Sequence, residues 1–310
     1  MIKHTELDHA TGKTRRVVDK KLLPRRSRVA YVMRSLRQNR VGVLGTCIVL
    51  FVLFVTLLGP FLAPHDPLEH NLRARFEPPG YSDASGTYVL GTDQLGRDIL
   101  SRVIAGARVS VFVGVVSVII AGVIGVSYGL LSGFAGGLLD NFMMRVADAF
   151  LAIPFIVLVV AVSGVVGAGL MTLIVILGVT SWVTYARVTR AEVLAAREMD
   201  YVMAAKALGQ NNLKIMFKHI LPNVTGSIIV LATSMVATTM LAEAALSFLG
   251  LGVQPPTVTW GLMLSDGRQY IGSAWWMSTF PGIAITITVL GVVFVGDWLR
   301  DLLDPQLRGQ

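Results

Sequence analysis

Charged residues are scarce in this sequence, in which only 15% of 310 residues are Asp, Glu, Lys or Arg. Soluble domains average about 25%, so too few solvated groups are present to cover a water-facing surface. The charges are also clustered, and five long segments hold one charged residue or none. Each is long enough for a membrane-spanning helix of about 20 apolar residues. These segments are 41–64, 109–139, 149–186, 219–265 and 269–296.

Cysteine and histidine are also scarce. The single cysteine, Cys47, excludes a disulfide framework or a cysteine-based metal site within one chain. The five histidines are scattered without ligand spacing, so no metal site is predicted. The first 40 residues contain no apolar core, and we therefore expect no cleaved signal peptide and a retained first span.

The apolar segments predict an all-α fold, a polytopic membrane bundle of six transmembrane helices. Segment 149–186 is too long for one span, and Gly164, Gly167 and Gly169 predict a tight hairpin near its middle. We expect the span before this hairpin to begin near Asn141. The predicted spans are 41–63, 109–131, 141 to the glycines, 169–185, 224–249 and 274–297.

The distribution of Lys and Arg predicts the orientation of this bundle. With both termini on one side, the inner segments hold 21 Lys and Arg residues and the outer segments hold 6. Basic residues mark the cytoplasmic side, so the net charge of +8 indicates membrane orientation, and no nucleic-acid partner is predicted. This orientation predicts five regions. A cytoplasmic tail that ends in an amphipathic interfacial helix (1–40) is followed by a first span (41–63) and a periplasmic segment (64–108). A five-span core (109–299), which contains a cytoplasmic loop at 187–222, is followed by a cytoplasmic tail (300–310).

Within the tail, the composition of the early residues predicts disorder. Gly12-Lys13-Thr14 is similar to the end of a phosphate-binding loop. That motif needs a glycine where Leu7 stands and a preceding strand, which residues 1–6 do not predict. We therefore expect this chain not to bind or hydrolyse ATP.

Small residues repeat every four positions within the second predicted span, at Ala121, Gly125, Gly129 and Gly133. This spacing places them on one helical face, where they allow another helix to approach closely. The repeat predicts helix packing and not a ligand site.

The cytoplasmic loop 187–222 predicts a compact knob outside the bilayer. Residues 194–207 are compatible with a helix, Gly209 ends it, and 213–219 predict a second short helix. Ala204 and Ala205 would form a flat patch that a groove on another protein could cover. On these residues alone, a docking surface and an ordinary interfacial loop remain equal alternatives.

Outside the loop, a few residues are candidates for sites. Glu243 is an ionisable group deep in span five, and such groups face a bundle interior or a cavity. It either contacts material on a translocation pathway or makes a structural hydrogen bond, and both alternatives remain open. On the outer side we expect a structural motif with an Asp93–Arg97 ion pair and with Trp260 as an interfacial anchor. Its other members are Asp98, Pro255 and Pro256.

The run Ala204-Ala205, Gly209 and then residues 219–222 resembles the "EAA" loop of ABC importer permeases. The resemblance implies that the loop inserts a coupling helix into a cleft of an ATPase subunit. Met203 and His219 depart from the family pattern, in which Glu and Ile are commonest. The residues implied in coupling are Asp200, Tyr201, Met203, Ala204, Ala205, Gly209, His219, Leu221 and Pro222.

Three further segments resemble the C-type permease of dipeptide and oligopeptide importers, and with the loop they cover residues 30–308. The resemblance implies the type I ABC importer transmembrane fold in a bacterial inner membrane. It also implies a related B-type permease, two ABC ATPases that bind ATP and Mg, and a periplasmic or lipid-anchored binding protein as partners. The segments are 91–98 with 101–110, 246–252 with 255–261, and 296–305.

The resemblance implies a permease subunit for di- or oligopeptides that binds no cofactor and performs no catalysis. Nickel, glutathione and short sugars are the cargo alternatives within the same branch. A secondary transporter or channel would need charged or broken helices at mid-membrane, for which Glu243 alone is thin support. An intramembrane enzyme is disfavoured because no His-Glu-x-x-His motif is present and because Ser163 and Ser181 have no base near them in the sequence.

Overall fold

A computed structural model of the chain describes residues 4–7, 14–17 and 25–303. Helices form most of the described part. They are α1 (Arg25–Gln38), α2 (Arg40–Leu62), α3 (Ile99–Ala135), α4 (Gly137–Leu151), α5 (Phe155–Val166), α6 (Leu170–Arg197), α7 (Asp200–Ala207), α8 (Asn212–Lys214), α9 (Leu221–Phe248), α10 (Trp260–Gly267) and α11 (Trp276–Leu303).

Within the described residues, five of the helical segments are long and apolar enough to cross a membrane. A sixth span results if α4 and α5, which meet at a bend of 79°, are counted together. The predicted helical membrane bundle is therefore confirmed. Span three is bent, because Pro154 interrupts it after α4.

The helix α3 begins ten residues before the predicted second span. Asp98 caps its first turn, accepting hydrogen bonds from the backbone amide and the hydroxyl of Ser101 at 2.8 and 2.6 Å. Hydropathy marks only the apolar part of a helix, so it missed the outer turns that contain Arg102 and Arg108. At 1.5 Å per residue, the 37 residues of α3 extend about 55 Å.

Short strands lie near the N-terminus and in the outer segment. The strands β1 (His4–Leu7) and β2 (Thr14–Val17) pair antiparallel, so the predicted disorder and lack of a strand at 1–6 are wrong for these residues. The glycine and lysine of the rejected phosphate-loop sequence lie outside the described residues, as do residues 304–310. The strands β3 (Tyr81–Asp83) and β4 (Gly86–Tyr88) form an antiparallel hairpin.

The repeat of small residues on α3 packs against α6, which confirms its predicted role. A Cβ built on Gly125 would lie 2.3 Å from the carbonyl oxygen of Trp182, and one on Gly129 would lie 2.3 Å from that of Ala186. The two backbones are thus in close contact, and α3 and α6 form the most extensive helix pair of the described chain.

Replacing Gly125 with valine is expected to lower the free energy of unfolding by at least about 1–3 kcal/mol, because the added atoms overpack a contact made by backbone. Thermal unfolding in detergent, followed by tryptophan fluorescence, measures this loss. Gly164→Ala on α5 is the matched control, because a Cβ there meets nothing within 4 Å. Equal unfolding temperatures for the two variants would contradict the packing role.

Candidate functional site

The loop 187–222 forms a knob built around α7, which the structure separates from α6. The sequence predicted one helix over 194–207, and this is wrong, because α6 ends at Arg197 and Met199 adopts an extended conformation before α7 begins at Asp200. An acidic residue in the first turn of α7 favours the new helix start. As predicted, Gly209 ends α7, with φ at +70°, a conformation that favours glycine.

The two faces of α7 have different surroundings. Val202 and Ala205 are buried in one apolar cluster with residues of α3, α6 and α9. Ala204 is exposed on the opposite side. The predicted flat patch of two alanines is therefore wrong, because consecutive helical residues point about 100° apart and only Ala204 remains available to a partner. On α7 and at its C-terminal end, the exposed large apolar side chains are Tyr201, Met203 and Leu208, the last 79% exposed.

The segment after Gly209 is continuous with a membrane helix. The predicted second short helix, 213–219, is instead the start of a helical stretch in which α8 and a π-helix (Ile215–Ile220) lead directly into α9. Leu221 and Pro222 form the first turn of α9, where proline is well tolerated. His219 and the side chain of Gln210 form a hydrogen bond of 2.8 Å, which ties the turn after α7 to this stretch.

The knob is thus joined to the bundle by a shared apolar core as well as by its connections. The cluster that holds Val202 and Ala205 also contains Leu130 at the inner end of α3, Val193 of α6 and Val224 of α9. Because interiors are close-packed, a displacement of α7 must be shared by the inner ends of these three helices.

At the outer end of α3, four charged residues form a cluster that we call the outer ion cluster: Asp93, Arg97, Arg102 and Asp266. The carboxylate of Asp93 accepts from Arg97 Nε at 2.6 Å and also contacts Arg102. Asp266 lies 3.3 Å from Arg102 and 3.5 Å from Arg97. The predicted Asp93–Arg97 pair is present, although the segment is a turn and not a helix.

Asp266 is the member of this cluster that the sequence did not single out. It lies 164 residues from Arg102 and on a separate helix, α10. The available signal was its isolation, because it is the only acidic residue between Glu243 and Asp297.

Trp260 opens α10 and lies inside the protein. Its side chain is buried against Gly106, and its indole N–H donates to the carbonyl of Val103 at 2.8 Å. The predicted role as an interfacial anchor is wrong, because α3 satisfies the polar edge of the ring. Pro255 and Pro256 are exposed in the irregular segment that folds back from α9 to α10, as the glycine- and proline-rich sequence predicted.

Glu243 is buried between helices, with only 1% of its surface exposed. It accepts hydrogen bonds from Ser247 at 2.8 Å and from Ser110 of α3 at 3.3 Å. Ser110 in turn accepts from the backbone amide of Trp260 at 3.2 Å. This arrangement joins α3, α9 and α10 and favours the structural alternative, while the pathway role stays an untested prediction.

Replacing Glu243 with glutamine is expected to leave transport of several different peptides unchanged, because the amide preserves the shape and the hydroxyls of Ser110 and Ser247 can reorient to match it. Uptake by cells that carry the variant, normalised to the amount of assembled complex, measures this. A selective loss for some peptides would instead support contact with cargo.

Among the residues that the structure describes, no group of three or more His, Cys, Asp or Glu side chains is placed to hold a metal ion. The interactions described at the two sites are packing, ion pairing and hydrogen bonding. The knob presents exposed apolar side chains beside one end of α3, and the outer ion cluster lies at the opposite end of that helix.

Comparisons with known proteins agree with this geometry. Residues 125–309 match the family described as "Binding-protein-dependent transport system inner membrane component". Residues 27–79 match "N-terminal TM domain of oligopeptide transport permease C".

Curated relatives align with most of the chain. A di/tripeptide transport system permease protein, DppC, of Pseudomonas aeruginosa (strain UCBPP-PA14) is 41% identical over 89% of this chain and 91% of its own length. The dipeptide permease DppC of Escherichia coli (strain K12) is 45% identical over 88% and 91%. The oligopeptide permease OppC of Bacillus subtilis (strain 168) is 40% identical over 89% and 89%.

Two solved structures share the fold. Both are inward-facing forms of the MetNI methionine ABC transporter, with TM-scores of 0.55 and 0.54 and sequence identities of 23% and 24%. Each alignment covers 66% of this chain and 98% of the other. The expected type I ABC importer transmembrane fold is thereby confirmed.

Proposed function

This chain belongs to the family of binding-protein-dependent transport system inner membrane components, and on that premise we propose that it is a permease subunit of an ATP-driven importer for di- or oligopeptides. It forms half of a translocation pathway, and a related B-type permease forms the other half. Two ABC ATPases bind the cytoplasmic side, and a periplasmic or lipid-anchored binding protein delivers cargo from outside.

The observation that carries this proposal is the two-sided knob. Its outer face exposes Tyr201, Met203 and Leu208, and its inner face belongs to the core shared by α3, α6 and α9. When ATP binding brings the ATPases together, they displace α7. The shared core passes that displacement to three membrane helices, so that access to the pathway alternates between the outer and the inner side.

In this mechanism the chain performs no covalent chemistry. ATP and Mg are bound by the ATPase subunits, and this chain binds no cofactor of its own. Both termini lie in the cytoplasm of a bacterial cell, and the protein crosses the inner membrane several times. This orientation is supported by the excess of Lys and Arg on one side of the spans.

Co-purification in mild detergent, followed by an ATPase assay, tests the proposal. The expected result is a complex with two ATPase subunits whose hydrolysis rises when cargo-loaded binding protein is added. Absence of an ATPase from the complex, or transport by this chain without one, would contradict the proposal. ATP hydrolysis stimulated by nickel, glutathione or a short sugar, and not by peptides, would show that the cargo is not a peptide.

A further inference from the structure

The helix α4 follows α3 directly but lies outside the apolar core of the knob. Among the described residues, that core has members from α3, α6, α7, α9 and the π-helix, and none from α4. The turn from α3 into α4 is made by Gly136 and Gly137, whose φ angles are +65° and +59°. Because glycine adopts many backbone conformations, this turn alone does not fix the direction of α4, and side-chain contacts must do so.

One of these contacts is a buried ion pair between Asp140 of α4 and Arg190 of α6, which we call the inner ion pair. The two carboxylate oxygens of Asp140 accept hydrogen bonds from Arg190 Nε and Nη2, each at 2.6 Å. The carboxylate also accepts from the hydroxyl of Ser132 on α3, and Asp140 is buried. Two parallel hydrogen bonds between a guanidinium and a carboxylate fix the angle as well as the distance. The inner ion pair therefore sets the position of α4 against α6.

Arg190 lies beside the part of α6 that packs in the knob. Val193 and Ala196, within two turns of Arg190 on α6, are buried in the apolar core of the knob together with Val202 and Ala205 of α7. The backbone of α6 is hydrogen-bonded from each turn to the next. A displacement of its end that follows α7 therefore displaces Arg190 as well.

Two further contacts join the end of α3 to the knob and to α6. Arg197 of α6 donates from Nη1 to the carbonyl of Gly133 at 3.1 Å, at a helix end where carbonyls need partners from outside the helix. The ammonium group of Lys206 on α7 lies 5.8 Å from the centre of the Phe134 ring, within the range of a cation–π contact. The knob, the end of α6 and the end of α3 are thus connected, and the inner ion pair attaches α4 to them.

The inner ion pair is better suited to fix a geometry than to hold the fold together. The helix α4 also packs on α6 through an apolar cluster that contains Ala147, Trp182 and Ala186, and such contacts are non-directional. Well-packed apolar side chains in place of a buried ion pair are often neutral for stability. The directional hydrogen bonds of Asp140 are what an apolar pair would not supply.

A second ion pair joins the same two helices and differs in burial. Arg187 of α6 donates from Nη2 to Asp148 of α4 at 2.6 Å, and the two side chains are 50% and 53% exposed. Exposed ion pairs contribute little, because water screens them. The pair Asp148–Arg187 is therefore a matched comparison, with the same helices and the same residue types but without burial.

We propose that Asp140 is a positioning residue for coupling: through Arg190 it makes α4 follow the knob when the ATPases displace α7. Because α4 continues past Pro154 into α5, the bent span then moves together with the knob. This inference rests on the proposed function. It adds the bent span to the three helices that share the core of the knob.

Peptide uptake and ATP hydrolysis, measured together in proteoliposomes that contain the complete complex and its binding protein, test this role. The probes are radiolabelled dialanine and tetra-alanine. Asp140→Asn keeps the shape of the side chain and removes its charge. We expect normal ATPase content and normal ATP hydrolysis, with peptide uptake per ATP lowered about tenfold or more, because hydrogen bonds to a charged group contribute about that much. Asp148→Asn is the control, and its uptake per ATP is expected to stay within about twofold of the unmodified complex.

Arg190→Lys decides the question where the Asp140→Asn complex does not assemble. Lysine keeps a charge opposite the buried carboxylate but cannot form two parallel hydrogen bonds with it. The complex is therefore expected to assemble, and its uptake per ATP is expected to fall outside the range of the Asp148→Asn control. Unchanged uptake per ATP in an assembled Asp140→Asn or Arg190→Lys complex would overturn the proposal, as would an equal loss in Asp148→Asn.

Two other outcomes separate this role from neighbouring ones. A parallel fall of hydrolysis and uptake, with uptake per ATP unchanged, would overturn the proposal, because it would show that the inner ion pair acts on the ATPases and not on the bent span. An unmodified complex that contains no ATPase, or that takes up peptide without ATP, would contradict the proposed function itself.

Discussion

Replacing Leu208 with glutamate is expected to remove the ATPase subunits from the complex and to abolish transport. The Leu208 side chain is 79% exposed at the end of α7, so the substitution leaves the chain's own core intact. In the complex, a carboxylate at this position would be buried without a partner. Burying an unpaired charge is strongly unfavourable, and the loss should exceed about 1.4 kcal/mol, or tenfold in affinity.

The measurement is the amount of ATPase retained by the purified membrane complex, together with its cargo-stimulated hydrolysis. Leu208→Met is the matched control, because it keeps the size and the apolar character of the side chain. Normal ATPase retention by the glutamate variant would show that α7 is not the docking surface. A reduced amount of folded permease would instead indicate an effect on the chain itself, which size-exclusion chromatography detects.

The second large effect is expected in the outer ion cluster, where Asp93→Ala should lower the free energy of unfolding by about 3–5 kcal/mol. Asp93 is 2% exposed and contacts both Arg97 and Arg102. It also accepts hydrogen bonds from the backbone amides of Leu95 and Arg97 at 2.8 and 3.0 Å. Its removal leaves two cations opposite a single carboxylate, that of Asp266, which is partly exposed.

Thermal unfolding of the purified complex measures this loss, and Glu69→Ala serves as the control. Glu69 is an exposed acid of the same outer segment and makes no ion pair within the described residues, so a change within about 0.5 kcal/mol is expected. The double variant Asp93→Ala/Arg102→Met should recover part of the stability, because it removes a buried charge together with its partner. A double variant less stable than Asp93→Ala would contradict this account.

The helix α3 connects the two sites. Its outer end is capped by Asp98 beside the outer ion cluster, and Leu130 near its inner end packs in the core of the knob. Between these ends its glycines pack closely on α6. We infer that the outer ion cluster holds the outer end of α3 while the ATPases act on the inner end.

The membrane organisation of this protein could be predicted from sequence because it depends on local composition. Removing apolar side chains from water is strongly favourable, so an uncharged segment of sufficient length marks a span wherever it occurs. The start of α2, the end of α7 at Gly209 and the packing role of Gly125 followed from local rules of this kind. The motif spacing around Ala204 likewise located the knob.

The tertiary structure decided which face of each helix packs against a neighbouring helix. Three findings depend on contacts between distant segments. Ala204 is exposed whereas Ala205 is buried, Trp260 is enclosed by α3, and Asp266 contacts Arg102. Local patterns carry no information about such contacts, because the same helix can turn either face toward its neighbours. The sequence therefore determined that this chain spans a membrane and where its long polar loop lies. Packing between helices decided which side chains form the knob, the outer ion cluster and the inner ion pair.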